Sequence, residues 1–240
     1  MIDIFRYKTI LFDVGDTLLT RKPSNAEIFM ERCINANISI KLTDAHNACK
    51  RCELWTGEQV MREQNGVPRM PDNEFSSYLD YIALQEIFKS KKSNDIWILV
   101  KKLKKFTAEK QEWDIIEGVN YTLEVLKNEC IILGIVSNFN KTLPELLDRF
   151  ELTKFFNNIT ISSFVNIEKP NPQILHIACE RLNVKSNDCL YVGDHPFDVL
   201  CAKKANMDIA WICDENDVLP DYFGYKEDYR VSSVKALISG

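Results

Sequence analysis

The sequence predicts an α/β protein built on an open parallel sheet and interrupted by an inserted, all-helical domain. From about residue 112 to the end, short apolar runs alternate with segments of helical periodicity, which is typical of a parallel sheet with helices on both faces. A further apolar run, residues 9–12, stands alone near the N-terminus. Between that run and residue 112 the apolar residues recur at helical spacing, and no comparable strand run is present.

The core domain is predicted from runs that have the character of buried strands. Strands that bury both faces form continuous apolar stretches of about four to eight residues. The predicted strands are residues 9–12, 131–136, 159–161, 189–192 and 209–212. We therefore expect a core domain of residues 1–20 and 112–240 and a helical domain of residues 21–111.

The composition indicates a soluble globular protein with no strong field for polyanions. Hydrophobic residues make up 45% of the 240 residues and the net charge is −5, so we expect neither nucleic acid nor an anionic membrane as a partner. Residues 1–8 lack the basic and apolar regions of a signal peptide. No window approaches the roughly 18 apolar residues that span a bilayer. We therefore expect a cytoplasmic location.

The eight cysteines are expected to be reduced thiols, because cytoplasmic proteins rarely keep disulfides. Cys49 and Cys52 form the one C-x-x-C spacing in the sequence, and they lie in a helical stretch. No second Cys or His pair is present to complete a tetrahedral zinc site. The cysteines therefore predict no metal or redox centre.

Polar residues follow three of the predicted strands at the point where each strand ends. They are Asp13, Gly15 and Asp16 after the first run, Ser137 and Asn138 after the second, and Asp194 and Asp198 after the fourth. Turns favour Asp and Ser for reasons of their own, so any one of these groups is weak evidence. Ligands bind at the carboxyl ends of the strands in an open α/β sheet. Three strands that deliver carboxylates, a hydroxyl and an amide to one edge therefore predict a functional site there.

Lys169 is expected to join this site. It lies just before a predicted helix, for which Pro172 suits the first position and Asn171 the cap, and Pro170 limits the motion of the loop. Several carboxylates with a lysine, and without a histidine cluster, suit a hard divalent cation and a phosphoryl group. A carboxylate nucleophile would divide phosphate hydrolysis into two easier steps.

Residues 13–17, 137–138, 169–170 and 193–198 resemble, in this order, the four motifs of the haloacid dehalogenase-like (HAD) hydrolase superfamily. The resemblance extends from Thr9 to about Asp214, apart from the helical insertion, and is greatest to phosphatase-type members. It implies a Rossmann-like core. The insertion falls between the first and second motifs, where the family has a helical cap that closes over the site and selects the substrate.

The resemblance also implies the residues that carry out catalysis on a small phosphorylated metabolite. Asp13 would attack the phosphorus and form an aspartyl-phosphate. Ser137 would donate a hydrogen bond to the phosphoryl oxygens, with Asn138 also at the substrate. Lys169 would offset the negative charge of the nucleophile and the phosphate.

The cofactor implied by the resemblance is Mg²⁺. Asp13, the backbone carbonyl of Gly15 and the carboxylate of Asp194 would be its protein ligands, and Asp198 would steady the metal site. Oxygen ligands of this kind are the ones that Mg²⁺ prefers.

The sequence departs from the family pattern at one position. Most phosphatases of the family carry a second Asp two residues after the nucleophile, which protonates the leaving group, and here that position is Gly15. Asp16 and His195 are the candidates to replace it. The first hypothesis is an active Mg²⁺-dependent phosphatase, and the second is a catalytically weak or silent binding protein of the same fold. The third is a 2-haloacid dehalogenase-type hydrolase, which the carboxylates of Asp194 and Asp198 disfavour.

Overall fold

The computed structural model describes residues 2–106 and 110–238. The strands are β1 Thr9–Phe12, β2 Leu19–Lys22, β3 Glu112–Ile115, β4 Ile132–Ser137, β5 Asn158–Ile161, β6 Cys189–Gly193, β7 Asp208–Ile212 and β8 Tyr229–Val231. The helices are α1 Asn25–Asn35, α2 Leu42–Gln64, α3 Asp72–Ile87, α4 Ser93–Leu103, α5 Val119–Asn128, α6 Leu143–Arg149, α7 Ser162–Val165, α8 Gln173–Leu182 and α9 Pro196–Lys204. The chain divides into two compact units, Met1–Thr20 with Asp114–Gly240, and Arg21–Trp113.

The first unit is built on a six-stranded sheet in the order β5-β4-β1-β6-β7-β8, in which the neighbouring strands pair in parallel. The predicted α/β fold is therefore confirmed. Strand β1 lies in the middle and is buried along its whole length. Phe12 at its end pairs with Ile135 of β4 on one side and Val192 of β6 on the other, so the loops that follow these three strands emerge next to one another.

Close packing on one face of the sheet fixes the positions of the strands and helices around the site. Leu11 of β1, Leu175 of α8 and Val199 of α9 belong to one cluster of buried apolar side chains. At Gly134 of β4, an added Cβ atom would lie 2.7 Å from the Leu11 side chain, so a larger residue would require the Leu11 side chain to move. Cores packed at this density resist small displacements, which keeps the ends of the strands in place.

The second unit, Arg21–Trp113, contains α1 to α4. Its first helix begins with a capping box, in which Ser24 and Glu27 exchange hydrogen bonds between side chain and backbone. Arg32 of α1 forms a bidentate pair with the buried Asp80 of α3 at 3.0 and 2.8 Å. Within residues 2–106 and 110–238, the structure contains no helix that is both long and apolar enough to cross a membrane.

The prediction that no strand lies between residue 12 and residue 112 is wrong. Strand β2 pairs with β3 in a separate two-stranded sheet formed by the segments that join the two units. Three of its four residues are Thr20, Arg21 and Lys22, and only Leu19 is buried. A short, polar and largely exposed strand gives no apolar run, so it could not be recognised by the pattern that identifies buried strands.

Candidate active site

Three carboxylates meet at the carboxyl edge of the sheet. Asp13 directly follows β1, and its backbone N–H donates to the Val192 carbonyl of β6 at 2.9 Å. Asp194 directly follows β6, and Asp198 lies in the first turn of α9. One carboxylate oxygen from each of these three residues lies within 4.8 Å of the other two. The convergence expected from the ends of the strands is therefore present in the structure.

Lys169 lies against two of these carboxylates and is itself buried. Its Nζ is 2.8 Å from Asp13 Oδ1 and 2.6 Å from Asp198 Oδ1, and it donates a hydrogen bond to the Tyr191 hydroxyl at 2.9 Å. The Tyr191 hydroxyl in turn donates to the Val136 carbonyl at 2.8 Å. The ammonium is thus fixed by three oxygens, two of them charged.

The loop that carries Lys169 is held by Asn138. The Asn138 side-chain amide donates to the Lys169 carbonyl at 2.9 Å, and its oxygen accepts from the Lys169 backbone N–H at 2.7 Å. Helix α8 begins at Gln173, one residue later than predicted, with Pro172 as its N-cap. The Asn171 side chain still accepts a hydrogen bond from the Gln173 N–H at 3.0 Å, which is the bond expected of the predicted cap. Asn138 therefore holds the lysine loop in place, while its contact with a substrate stays a prediction.

The carboxylate of Asp198 approaches the backbone very closely. A Cβ atom added at Gly193 would lie 2.3 Å from Asp198 Oδ2, so a glycine is needed where β6 ends. The same oxygen accepts a hydrogen bond from the His195 N–H at 3.1 Å, which forms part of a capping box at the start of α9. Asp198 is 1% exposed. The carboxylate is therefore held rigidly by the first turn of its own helix.

Asp194 is held from two directions. The Thr17 hydroxyl donates to Asp194 Oδ1 at 2.9 Å, and the Trp211 indole N–H donates to the Asp194 backbone carbonyl at 2.7 Å. Thr17 lies in the loop that carries Asp13, so this hydrogen bond links the ends of β1 and β6. Ser137 is the last residue of β4 and is buried.

The donor set fits a divalent cation. Three carboxylates face one ammonium, which leaves an excess of negative charge in a confined space. Asp13 Oδ1 is buried and has no aligned hydrogen-bond donor in residues 2–106 and 110–238, although the Lys169 ammonium is 2.8 Å away. Oxygen ligands suit Mg²⁺, whereas zinc prefers His and Cys. Asp13, Asp194 and Asp198 are therefore the described side chains that could hold such an ion, with Gly15 predicted to add its carbonyl.

Burial and mutual repulsion shift the protonation equilibria of this cluster. Burial, followed by repulsion from Asp13, raises the pKa of Asp194 well above its usual range. Burial also raises the pKa of Asp198 to about 6, although the Lys169 ammonium partly opposes the shift. Burial alone would lower the pKa of Lys169, but the attraction of Asp13 and Asp198 raises it well above its usual value. Lys169 is therefore an ammonium at neutral pH.

The pKa of Asp198 predicts how stability changes with pH in the metal-free protein. An unfolded Asp has a pKa of about 3.9. Between that value and about 6 the folded state binds more protons than the unfolded state, so the free energy of unfolding falls as pH rises. The difference between this unfolded value and a folded pKa of about 6 corresponds to a loss on the order of 3 kcal/mol over this pH range. Urea unfolding in EDTA should show the wild type losing this amount relative to Asp198→Asn between pH 4 and pH 7, and parallel profiles would contradict the assignment.

Sequence reasoning missed the residues that position the charged groups. Tyr191 places its hydroxyl beside Lys169, Thr17 holds Asp194, and Trp211 binds the Asp194 carbonyl. Tyr191 could have been recognised from the sequence, because a phenol in the middle of an apolar, fully buried strand needs a hydrogen-bond partner. Thr17 lies in the motif of residues 13–17 but was given no role of its own, and Trp211 had no distinguishing pattern, since a tryptophan in a strand is ordinary.

The parallel sheet with its polar cluster at the carboxyl edge places the chain in the class of Rossmann-like α/β proteins. The family model described as haloacid dehalogenase-like hydrolase matches residues 10–212. The chain belongs to this family, and the resemblance found in the sequence is confirmed.

Named relatives of the chain include two phosphatases. The chain is 27% identical over 213 residues to glyceraldehyde 3-phosphate phosphatase from Pyrococcus furiosus, covering 86% of this chain and 80% of that protein. It is 25% identical over 202 residues to phosphoglycolate phosphatase from Pseudomonas syringae pv. tomato, covering 83% of this chain and 67% of that protein.

Solved structures share the fold over almost the whole chain. YfnB from Bacillus subtilis, a HAD hydrolase solved with bound magnesium, has a TM-score of 0.63 at 21% identity and covers 98% of both chains. A dehalogenase has a TM-score of 0.62 at 20% identity and covers 99% of this chain and 97% of that one. At these identities the likeness shows the fold alone.

Proposed function

We propose that this protein hydrolyses a phosphate monoester of a small metabolite in a Mg²⁺-dependent reaction that passes through an aspartyl-phosphate on Asp13. The observation that carries the proposal is the ion pair between Asp13 and Lys169, at 2.8 Å, beside the carboxylates of Asp194 and Asp198. A nucleophilic carboxylate, a fixed cation and a set of metal ligands are the parts that phosphoryl transfer to a protein side chain requires.

The first step forms the covalent intermediate. An oxygen of Asp13 bonds to the phosphorus, and the bond from phosphorus to the leaving oxygen breaks. Lys169 keeps its proton and stabilises the charge on the phosphoryl oxygens, and Ser137, at the end of β4, donates a hydrogen bond to one of them. Asp13, Asp194 and Asp198 would hold Mg²⁺, which would supply positive charge that offsets the charge of the phosphoryl group.

The second step releases phosphate. A water oxygen bonds to the phosphorus, and the bond from phosphorus to Asp13 breaks, which restores the carboxylate. Asp198 and Tyr191 keep Lys169 in place throughout, because both contact its Nζ. Tyr191 therefore acts on the reaction through the lysine, and Asp198 does so in addition to its proposed place at the cation.

The proposed substrate is a small phosphorylated metabolite. The named relatives act on glyceraldehyde 3-phosphate and phosphoglycolate, both small molecules. The net charge of −5 disfavours a polyanion such as nucleic acid. The helical unit, Arg21–Trp113, interrupts the core directly after β1, and we assign it the role of a cap that selects the substrate.

Metal removal tests the proposal directly. Released phosphate should be measured across a panel of phosphorylated metabolites, first with Mg²⁺ and then with EDTA. We expect turnover of at least one substrate to fall by more than about 10²-fold in EDTA, because the metal stabilises charge in the transition state by several kcal/mol. Restoring Mg²⁺ should restore the rate. Turnover that is equal in the two conditions would refute the proposed role of the cation.

A catalytically silent binding protein is the second candidate, and Gly15 is the observation that favours it. Glycine cannot transfer protons, and the neighbouring Asp16 carboxylate accepts a hydrogen bond from the Thr20 hydroxyl at 2.8 Å. Such a protein would bind a phosphorylated ligand in the presence of Mg²⁺ without releasing phosphate. A dehalogenase-type activity is disfavoured by Asp194 and Asp198, and chloride release from 2-haloacids in EDTA would support it.

A further inference from the structure

The loop after β1 leaves an open space at Gly15, two residues after the nucleophile. Gly15 has no side chain, and a Cβ atom added there would have no heavy atom within 4 Å among the residues described. Asp16 is exposed, has a left-handed φ of 50° and accepts a hydrogen bond from Thr20. Thr17 directs its hydroxyl to Asp194. Asp16 and Thr17 thus form hydrogen bonds within the protein, and neither is placed to give a proton to a leaving group.

Two further groups near Asp13, the Lys169 ammonium and the Tyr191 hydroxyl, are also held by partners within the protein. Lys169 Nζ contacts Asp13, Asp198 and Tyr191, so it binds negative charge and keeps its protons. The Tyr191 hydroxyl directs its proton to the Val136 carbonyl, in the interior of the protein. Neither group is arranged to give a proton to a departing oxygen.

We propose that this protein favours phosphoryl compounds whose leaving oxygen is weakly basic, namely acyl phosphates and diphosphates, over the phosphates of ordinary alcohols. The inference rests on the proposed function, because it uses the same aspartyl-phosphate on Asp13, and it extends the substrates of that site from monoesters to phosphoric anhydrides. Two observations support the preference. Gly15 leaves an open space where an acid could stand, and the side chains of Asp16, Lys169 and Tyr191 already form hydrogen bonds within the protein.

The chemistry of the first step explains the preference. Asp13 bonds to the phosphorus, and the electron pair of the breaking bond goes to the leaving oxygen. Without a proton donor the leaving group departs as an anion, so its basicity determines the rate. In the second step water bonds to the phosphorus, the electron pair returns to the Asp13 carboxylate, and the proton of the water passes to solvent. This second step is the same for every substrate.

The basicities of the leaving groups differ widely. A carboxylic acid has a pKa of about 4 and the second ionisation of a phosphate has a pKa of about 6, whereas the pKa of an alcohol is far higher, because an alcohol is about as weak an acid as water. A general acid typically contributes ~10²–10⁴-fold to a rate. Without a general acid, the first step should therefore slow by most of that factor for an alkyl phosphate, whereas for an acyl phosphate it should slow only a little.

The first measurement compares kcat/KM for acetyl phosphate with kcat/KM for glycerol 3-phosphate in Mg²⁺, after correction for spontaneous hydrolysis. kcat/KM includes the step that transfers the phosphoryl group to Asp13, whereas kcat also includes the shared second step. We expect the ratio to exceed about 10² in the wild type. A ratio near one would overturn the inference, because it would mean that some group protonates the alcohol.

The second measurement adds the missing acid. Gly15→Asp places a carboxyl group in the open space, and Gly15→Asn places a group of the same size that cannot serve as the acid. Gly15→Asp should lower the ratio by about 10²-fold, whereas Gly15→Asn should keep the wild-type ratio. An equal fall in both variants would overturn the inference. His195→Asn keeps a side chain that can cap α9, and a rise in its ratio would identify His195 as the acid and overturn the inference too.

These outcomes separate the inference from the proposed function. Asp13-dependent turnover of both substrates at similar kcat/KM refutes the preference and leaves the phosphatase activity intact. A lack of Asp13-dependent turnover of either substrate, in a protein that remains folded, refutes the proposed function and the preference with it. The wild-type ratio is measured without any variant, so the test does not depend on the folding of Gly15→Asp.

Discussion

Asp13→Asn should abolish phosphate release, with a fall in kcat on the order of 10⁴-fold or more, as for the loss of a nucleophile in other enzymes that form covalent intermediates. An amide is a poor nucleophile and cannot form the acyl phosphate that the Asp13 carboxylate forms. The measurement is phosphate release in Mg²⁺, combined with mass spectrometry of acid-quenched protein. The wild type should show a fraction of chains that carry one phosphoryl group, and Asp13→Asn should show none.

The loss of activity in Asp13→Asn should not come from unfolding. Lys169 keeps Asp198 and Tyr191 as partners, and the repulsion between residues 13 and 194 is removed. Asp16→Asn is the matched control, because it makes the same chemical change in the same loop at an exposed side chain held by Thr20. We expect Asp16→Asn to retain turnover within about 10-fold of the wild type. Activity that survives in Asp13→Asn would disprove the covalent mechanism.

The features of the fold that were predictable are those with a strong periodic signal. Strand β1 was predicted at the residues where it occurs, and β4 was displaced by one residue. Both are fully or almost fully buried, so their sequences consist almost entirely of apolar residues. Strand β8 was missed, because it has three residues at the edge of the sheet and includes the exposed Arg230.

The candidate site was predictable to the extent that its residues follow buried strands. Because β4, β1 and β6 are neighbours, Ser137, Asp13 and Asp194 emerge at one edge, as the pattern indicated. The contacts that depend on the exact directions of side chains could not be predicted from the sequence. The hydrogen bonds from Asn138 to the Lys169 loop and from Lys169 to Tyr191 join residues far apart in the chain, and no local pattern encodes them.

Lys169→Met should destabilise the metal-free protein strongly. Met is unbranched and fills a similar volume, so the main loss is the positive charge. Asp13 and Asp198 would then lie buried beside each other without a cation, and the Tyr191 hydroxyl would lose its donor. Removing one partner of a buried ion pair costs about 3–5 kcal/mol. Urea unfolding at pH 7.5 in EDTA should show this loss, and kcat in Mg²⁺ should also fall by about 10²-fold or more.

A control variant and the pH dependence distinguish an uncompensated buried charge from a loss of packing in Lys169→Met. Lys154→Met removes an exposed ion pair with Glu151 and should cost less than about 1 kcal/mol. Without Lys169 the pKa of Asp198 should rise further above about 6, since the ammonium now opposes the effect of burial. The folded variant then takes up a proton as pH falls, so its deficit should be smaller at pH 5 than at pH 8. A deficit that does not change with pH would mean that lost packing, rather than an uncompensated buried charge, causes the instability.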